Sequence, residues 1–275
     1  MIPSTDGVTV AVHDLGGSGP TLVMCHATGF HGRVWETIAV ALADRYHCLA
    51  IDFRGHGDSV ISDGLDLAWV GMGQDVLAVV DAMDLGSGLR VAGWSMGGCA
   101  LTLAELARPG LWSSAWAYEP IIFPPPADDG VDNTNGGGLA EGARRRNNDF
   151  ASRGEAFENY ASKPPFSLCR PDALRSYVDY GFRDTDDGTV TLKCPGPIEA
   201  QVFEGAFTDA YERLGEFAAP FTVVASGDGQ APAQVAPSIA DRLPHGALES
   251  MDDLTHFGPL QDPDRIAESI ARSVE

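Results

Sequence analysis

Leu89-Arg90-Val91-Ala92-Gly93-Trp94-Ser95-Met96-Gly97-Gly98-Cys99-Ala100 is the stretch on which the fold turns. Its first half, Leu89–Trp94, is a short apolar run of the kind a buried strand needs. Its second half, Met96–Ala107, has helical spacing and stops before Pro109. Between them Gly93-Trp94-Ser95-Met96-Gly97 fits G-x-S-x-G, a serine on a sharp strand-to-helix turn. Side chains two residues to either side of such a serine would collide, so both positions are glycine, and Gly98 adds another small residue for close packing. The turn pushes the serine oxygen out above the sheet edge. It also aims N–H groups of the following helix at the same point. In this context Ser95 reads as a nucleophile.

Outward from the elbow, short apolar runs alternate with helical patterns. Val8–Leu15, Thr21–His26, Cys48–Phe53 and Ser113–Tyr118 read as strands. Val34–Arg45 and Asp66–Met83 read as helices, with Asp66 as N-cap. After the middle of the chain Phe221–Ser226 and Ala247–Met251 are strands, and Pro232–Leu243 and Pro263–Val274 are helices. The alternation predicts an α/β fold, a mostly parallel sheet covered by helices on both faces. Between its halves runs Ile121–Gly138, rich in Pro, Asp, Asn and Gly. Helical patterns follow at Leu139–Ala161, Asp172–Tyr180 and Ile198–Leu214, the last two separated by a polar turn. The expected organisation is therefore a core of residues 1–120 and 218–275, interrupted by a mainly helical cap over 121–217. No repeat at a solenoid or propeller period occurs.

Two more loops follow strands at the end where open α/β sheets place their sites. His26-Ala27-Thr28-Gly29-Phe30 follows Thr21–Cys25. With Met96 it is expected to supply the two N–H donors of an oxyanion hole, the second from Thr28. Leu254-Thr255-His256-Phe257-Gly258 follows the last strand. Of seven histidines, His256 alone sits on a late loop downstream of the serine, where a base for Ser95 is needed. Phe30, Trp94 and Phe257 flank these loops and are candidates for an apolar substrate pocket or for plain packing.

These pieces resemble the α/β-hydrolase superfamily over nearly the whole chain outside the cap. The matching residues are the HATGF loop, Asp52-Phe53-Arg54-Gly55-His56-Gly57-Asp58-Ser59, the GWSMG elbow and the terminal His loop. The resemblance implies that the Asp52–Ser59 stretch is mainly structural. Its spacing also lacks the paired histidines zinc needs, so no metal is expected. The resemblance usually places the triad acid after the strand that follows the cap. There the chain reads Ser226-Gly227-Asp228-Gly229-Gln230; the expected position holds Gln230, and Asp228 is out of step. The alternative position follows the strand before the cap, at Tyr118-Glu119-Pro120. Glu119 is preferred, with Asp228 as the alternative and Asp252 and Asp253 as outside candidates. A carboxylate at the end of an apolar strand is costly without a partner, and an imidazolium would be one.

With serine at the elbow, the resemblance implies hydrolysis of a carboxylic ester or lactone through an acyl-enzyme, without a cofactor. Relatives that use a carboxylate there, dehalogenases and epoxide hydrolases, are disfavoured. Carbon–carbon bond hydrolysis and cofactor-free perhydrolysis use the same triad and stay open, as does a catalytically silent binding module.

The 275 residues carry a formal charge of −21 and a pI near 4.5. Such a field disfavours nucleic acid and anionic membranes, and points to a small-molecule substrate that is largely uncharged, although a pocket's local charge can override it. The five cysteines form no C-x-x-C pair and read as buried apolar residues of a reducing compartment. No leader or membrane-spanning run is apparent, so a cytoplasmic location is expected. A homodimer is left open.

Overall fold

The structure, a computed structural model, describes residues 1–125, 136–206 and 208–275. The chain opens with β1 (Ile2–Pro3), β2 (Thr9–Gly16) and β3 (Thr21–Cys25). Next come α1 (Glu36–Leu42), β4 (His47–Asp52) and α2 (Trp69–Ala82). The elbow joins β5 (Leu89–Trp94) to α3 (Met96–Ala107), and β6 (Trp112–Tyr118) follows. After the insertion come β10 (Phe221–Ser226), α9 (Ala231–Arg242), β11 (Gly246–Met251), α10 (Gly258–Gln261) and α11 (Pro263–Ser273). The eight-stranded sheet runs in the order β1-β2-β4-β3-β5-β6-β10-β11. β1 pairs antiparallel with β2 and β2 antiparallel with β4; β4, β3, β5, β6, β10 and β11 run parallel to one another. The α/β-hydrolase architecture read from the elbow is thus the architecture of the chain.

Strand alternation divides the core. Val23, Cys25 and Val91 face one apolar layer, which α2, α3 and α9 cover. Leu22, Met24, Ala92 and Trp94 face the other, covered by α1 and α11. Both faces are closed, so the central strands are apolar throughout, as parallel strands require.

The insertion stays out of the main sheet. It holds α4 (Gly136–Arg144), β7 (Asp149–Phe150), α5 (Arg153–Ala161), α6 (Pro171–Gly181), β8 (Phe182–Asp184), β9 (Val190–Leu192), α7 (Gly196–Glu204) and α8 (Ala210–Arg213). Four expectations are corrected here. The polar turn between α6 and α7 is a hairpin that forms a small antiparallel sheet, β7-β9-β8. Its strands have two or three residues, too short for a periodicity to register, and they bury Phe150, Phe182, Val190 and Leu192. The helix expected over Leu139–Ala161 breaks between α4 and α5. There the Asn147 side chain bonds the Asp149 backbone, and the Ser152 hydroxyl accepts from Glu155 N to cap a new helix. The helix expected over Ile198–Leu214 stops at Gly205, whose carbonyl accepts from Trp69 N. Asp66 does not cap α2, which begins at Trp69; its carboxylate instead accepts from Ala68 N. The part of the Pro- and Asp-rich entry to the cap that spans 126–135 lies outside the described residues.

Among the described residues no helix is long and apolar enough to cross a membrane. All five cysteines are free and buried. Burial pushes the Cys25, Cys99 and Cys169 thiols up to about 12 and Cys48 up to about 11, so none is a thiolate nucleophile at neutral pH.

Candidate active site

Because β3, β5, β6, β10 and β11 run in one direction, the loops after them gather at one edge. Ser95 follows β5, Glu119 follows β6, Asp228 lies beyond β10, and His256 lies beyond β11.

Ser95 sits at φ 56°, ψ −116°, a conformation L-residues rarely adopt. The surrounding structure holds it there. Its N–H donates to Tyr118 O at 2.9 Å, and its carbonyl accepts from Gly98 and Ile121. The elbow glycines are glycines for space. A Cβ on Gly97 would stand 2.2 Å from the Cys25 carbonyl oxygen, and one on Gly93 would stand 2.6 Å from Leu101 and 2.7 Å from Gly98 N. Since Gly97 meets rigid backbone, Gly97→Ala is expected to cost about 1–3 kcal/mol of stability by overpacking. A thermal melt should show the loss, and the same variant should label poorly with a fluorophosphonate probe because the elbow must shift.

Glu119 is fully buried and also has positive φ, 44°. Its Oε1 accepts from Ser226 N at 2.8 Å, and its Oε2 lies 2.5 Å from His256 Nδ1. Among the described residues no arginine pairs with it, and its ionic partner is the histidine. Nδ1 is therefore committed, and Nε2 is the ring nitrogen left for chemistry. Ser95 and His256 open onto one cavity of about 1470 Å³.

Asp228, the alternative acid, does something else. Its Oδ2 accepts from the His256 backbone N at 2.9 Å and its Oδ1 from Gln230 N at 2.9 Å. It holds the histidine loop by its main chain and does not reach the ring. Three more bonds fix that loop: Trp94 Nε1 to His256 O, Tyr118 Oη to Thr255 O, and Thr255 N to Gln261 Oε1. Asp253 pairs with Arg265 and Asp252 is exposed, so neither outside candidate joins the site.

Thr28 and Met96 face each other, the Thr28 hydroxyl meeting Met96 Sδ at 3.3 Å. Among the described residues neither backbone N–H is spent on another hydrogen bond. The Gly29 N–H is spent, on His56 Nε2 at 3.0 Å. The other histidines of this region are structural. His26 Nε2 accepts from Phe53 N, His56 also contacts Arg54 O through Nδ1, and His31 contacts Tyr177 O. Burial holds His31 and His56 down to about 4, and His26 well below its ordinary value. Their folded values lie below that of the unfolded chain, near 6.5. Between the two, the unfolded chain binds protons the folded chain refuses, so stability falls as pH drops through this window. Each fully withheld proton is worth about 1.4 kcal/mol per pH unit. Melting temperatures measured from pH 7 to pH 4.5 should decline, and the slope should be shallower in His31→Gln, which removes one such group.

Phe30 and Phe257 line the cavity. Trp94 does not. It is fully buried behind them, packed at 4.5 Å from Phe30 and 5.9 Å from Phe257 between ring centres. A side chain inside β5 points into the core layer, so the indole buttresses the pocket wall and anchors the histidine loop. The Asp52–Ser59 stretch is likewise internal scaffolding. His13, Asp52 and Asp58 bring donor atoms within 4.8 Å of one another. Asp52, however, already accepts from His13, Gly32 N and Asp58 N, and Asp58 pairs with Lys193. The insertion supplies a share of the cavity that no motif announces, above all Arg146, Tyr160, Lys163, Tyr177 and Glu199. The one signal was the run Arg144-Arg145-Arg146 in a chain with few cations.

Comparison with known proteins fits this geometry. Residues 22–269 match the model of the Alpha/beta hydrolase family. A pimeloyl-[acyl-carrier protein] methyl ester esterase of Aeromonas hydrophila is 32% identical over 93 residues, 34% of this chain and 35% of that enzyme. Protein phosphatase methylesterase 1 of Bos taurus is 36% identical over 94 residues, 33% of this chain and 25% of that protein. The aligned stretches thus span only about a third and a quarter of these relatives. Among solved structures, E-2-(acetamidomethylene)succinate hydrolase superposes with a TM-score of 0.84 at 19% identity, covering 100% of this chain and 98% of that one. A thermophilic esterase from Thermogutta terrifontis gives 0.74 at 18% identity, covering 98% and 96%. With the family model spanning most of its length, and the elbow, histidine loop and sheet order in place, the chain belongs to the alpha/beta hydrolase family.

Proposed function

We propose that this protein is a serine hydrolase that cleaves a carboxylic ester or lactone through an acyl-enzyme. The observation that carries the proposal is the 2.5 Å contact between Glu119 Oε2 and His256 Nδ1, on a histidine that shares a cavity with Ser95. Ser95 Oγ attacks the carbonyl carbon while His256 Nε2 takes its proton. Glu119 holds the imidazole in the tautomer that leaves Nε2 free and stabilises the imidazolium that forms. The Thr28 and Met96 N–H groups receive the developing oxyanion. His256 then returns the proton to the leaving alcohol, and water repeats the sequence to release the acid. The insertion over 121–217 caps the site and supplies the far wall of the pocket. The cavity exceeds the several hundred Å³ of an ordinary small-ligand site, which suits a small to medium substrate better than acetate alone.

The test is hydrolysis of p-nitrophenyl acetate with labelling by a fluorophosphonate, followed by a screen across ester chain lengths and lactone sizes. Turnover and Ser95-dependent labelling are expected. The absence of both activity and labelling would overturn the proposal.

A further inference from the structure

The cavity beside Ser95 has a polar wall that the proposed chemistry does not use. Arg146, on the turn after α4, is centred on it. Its Nη1 pairs with Glu199 at 2.5 Å, and its Nη2 donates to Tyr160 Oη at 3.0 Å and Tyr177 Oη at 2.7 Å. Tyr177, Tyr160 and Glu199 are all buried, yet all line the cavity. Each phenolic oxygen accepts from the guanidinium, which leaves its own O–H to donate. Among the described residues neither O–H has an acceptor. Burial pushes the Tyr177 hydroxyl well above its ordinary value, so it remains a donor at any physiological pH.

Charge singles out the same wall. The chain carries 39 acidic residues against 18 basic ones, and only two of the latter are lysines. One of the two, Lys163, stands at this cavity, one turn beyond Tyr160. Among the described residues it pairs with no carboxylate, whereas Lys193 pairs with Asp58. Among the described residues the charged lining, His256 aside, is Arg145, Arg146 and Lys163 against Glu199 and Glu204. Arg145 pairs with Glu141, Arg146 with Glu199 and Glu204 with Arg144, so among the described residues Lys163 is the unpaired charge of this lining, a local reversal of field inside a chain of net charge −21. The wall is also close to the reacting centre. A Cβ on Gly29, the neighbour of Thr28, would stand 2.3 Å from Glu199 Oε1 and 3.5 Å from Arg146 Nη1. Only a glycine lets this cluster approach the oxyanion loop so closely.

We propose that this wall is a carboxylate subsite, and that the substrate is an ester bearing a free carboxylate a few bonds from the carbonyl that Ser95 attacks, a half-ester of a short dicarboxylic acid. The Tyr160 and Tyr177 hydroxyls donate to the carboxylate oxygens, Arg146 orients and polarises them, and Lys163 supplies the balancing charge. Such charge-assisted bonds, shielded from water, together favour the carboxylate over a neutral isostere by about tenfold or more. This inference rests on the esterase reading and replaces the largely uncharged substrate that net charge alone suggested.

The experiment compares kcat/KM for monomethyl succinate with that for its neutral isostere methyl succinamate at low ionic strength. The half-ester should be preferred by about tenfold or more. Tyr177→Phe and Lys163→Ala should each cut that preference several-fold, mainly through KM, while Lys193→Ala leaves the ratio where it was. A binding arm uses the Ser95→Ala chain, whose melting temperature should rise with millimolar succinate and not with succinamide. Preference for the amide would assign recognition to the Glu199 oxygen, and a ratio that Tyr177→Phe and Lys163→Ala leave untouched would remove the wall from specificity; either overturns the subsite and leaves the esterase standing. If no ester is cleaved and no probe binds, the esterase reading fails. The succinate shift alone then decides the subsite.

Discussion

Ser95→Ala is expected to lower kcat for p-nitrophenyl acetate by about 10⁵–10⁶ and to abolish fluorophosphonate labelling, with the fold intact. Removing a nucleophile costs that much because the remaining groups have nothing to activate. The oxyanion donors and the pocket sustain only residual catalysis by water. The fold should survive because the structural contacts of residue 95 are made by its backbone, to Tyr118, Gly98 and Ile121. A second variant separates chemistry from strain. At φ 56°, ψ −116° both Ser and Ala are held in a conformation that costs about 1–3 kcal/mol, and glycine is not. Ser95→Gly should therefore be as inactive as Ser95→Ala but melt at a higher temperature. If both variants melt alike, the elbow stores no strain. If Ser95→Ala retains turnover and labelling, the nucleophile lies elsewhere.

The elbow was legible because its constraints are local. Leu89–Trp94 and Met96–Ala107 have the bounds read from the sequence, since an apolar run, a glycine-flanked serine and a proline stop leave little freedom. Glu119 was legible for a related reason: a carboxylate closing the apolar run Trp112–Tyr118 has to meet a counter-charge, and His256 supplies it. Trp94 was misplaced because an aromatic residue next to a nucleophile is apolar either way, and only strand alternation decides which side of the wall it occupies. Of the proposed carboxylate wall only the run Arg144-Arg145-Arg146 gave a signal. Arg146, Tyr160, Tyr177 and Glu199 come from four separate segments of the insertion, with no spacing that links them. What joins them is tertiary packing across a cavity, and the short hairpin Phe182–Leu192 that shapes this insertion is below the length at which periodicity speaks. Net charge averages over a surface, whereas binding responds to one wall, so the proposed subsite departs from the substrate that net charge suggests.

Glu119→Gln should reduce kcat/KM for esters by about 10⁴, whereas Asp228→Asn should cost only about ten- to a hundredfold. Both exchanges preserve shape and remove a charge, so their difference lies in what each carboxylate accepts. Glu119 takes one bond on each oxygen, from Ser226 N and from His256 Nδ1. Glutamine has a single acceptor oxygen. If that oxygen serves Ser226, the amide N–H₂ faces Nδ1 and forces the proton onto Nε2, which can then no longer receive one from Ser95. If it serves the histidine, the Ser226 N–H is left buried and unpaired, at about 1–3 kcal/mol of stability. Either way the imidazolium loses its only buried counter-charge. Asp228 also accepts twice, but both donors are main-chain N–H groups, of His256 and Gln230. Asparagine forfeits one of them and loosens the loop, which Trp94, Tyr118 and Gln261 still hold. The tautomer and the charge of the base are untouched. The pair of variants therefore separates an acid that sets the protonation of the histidine from one that sets only its position. Loss by orders of magnitude in Asp228→Asn alone would exchange their roles, since no loosening of a loop with three other anchors produces it while the ring keeps its partner.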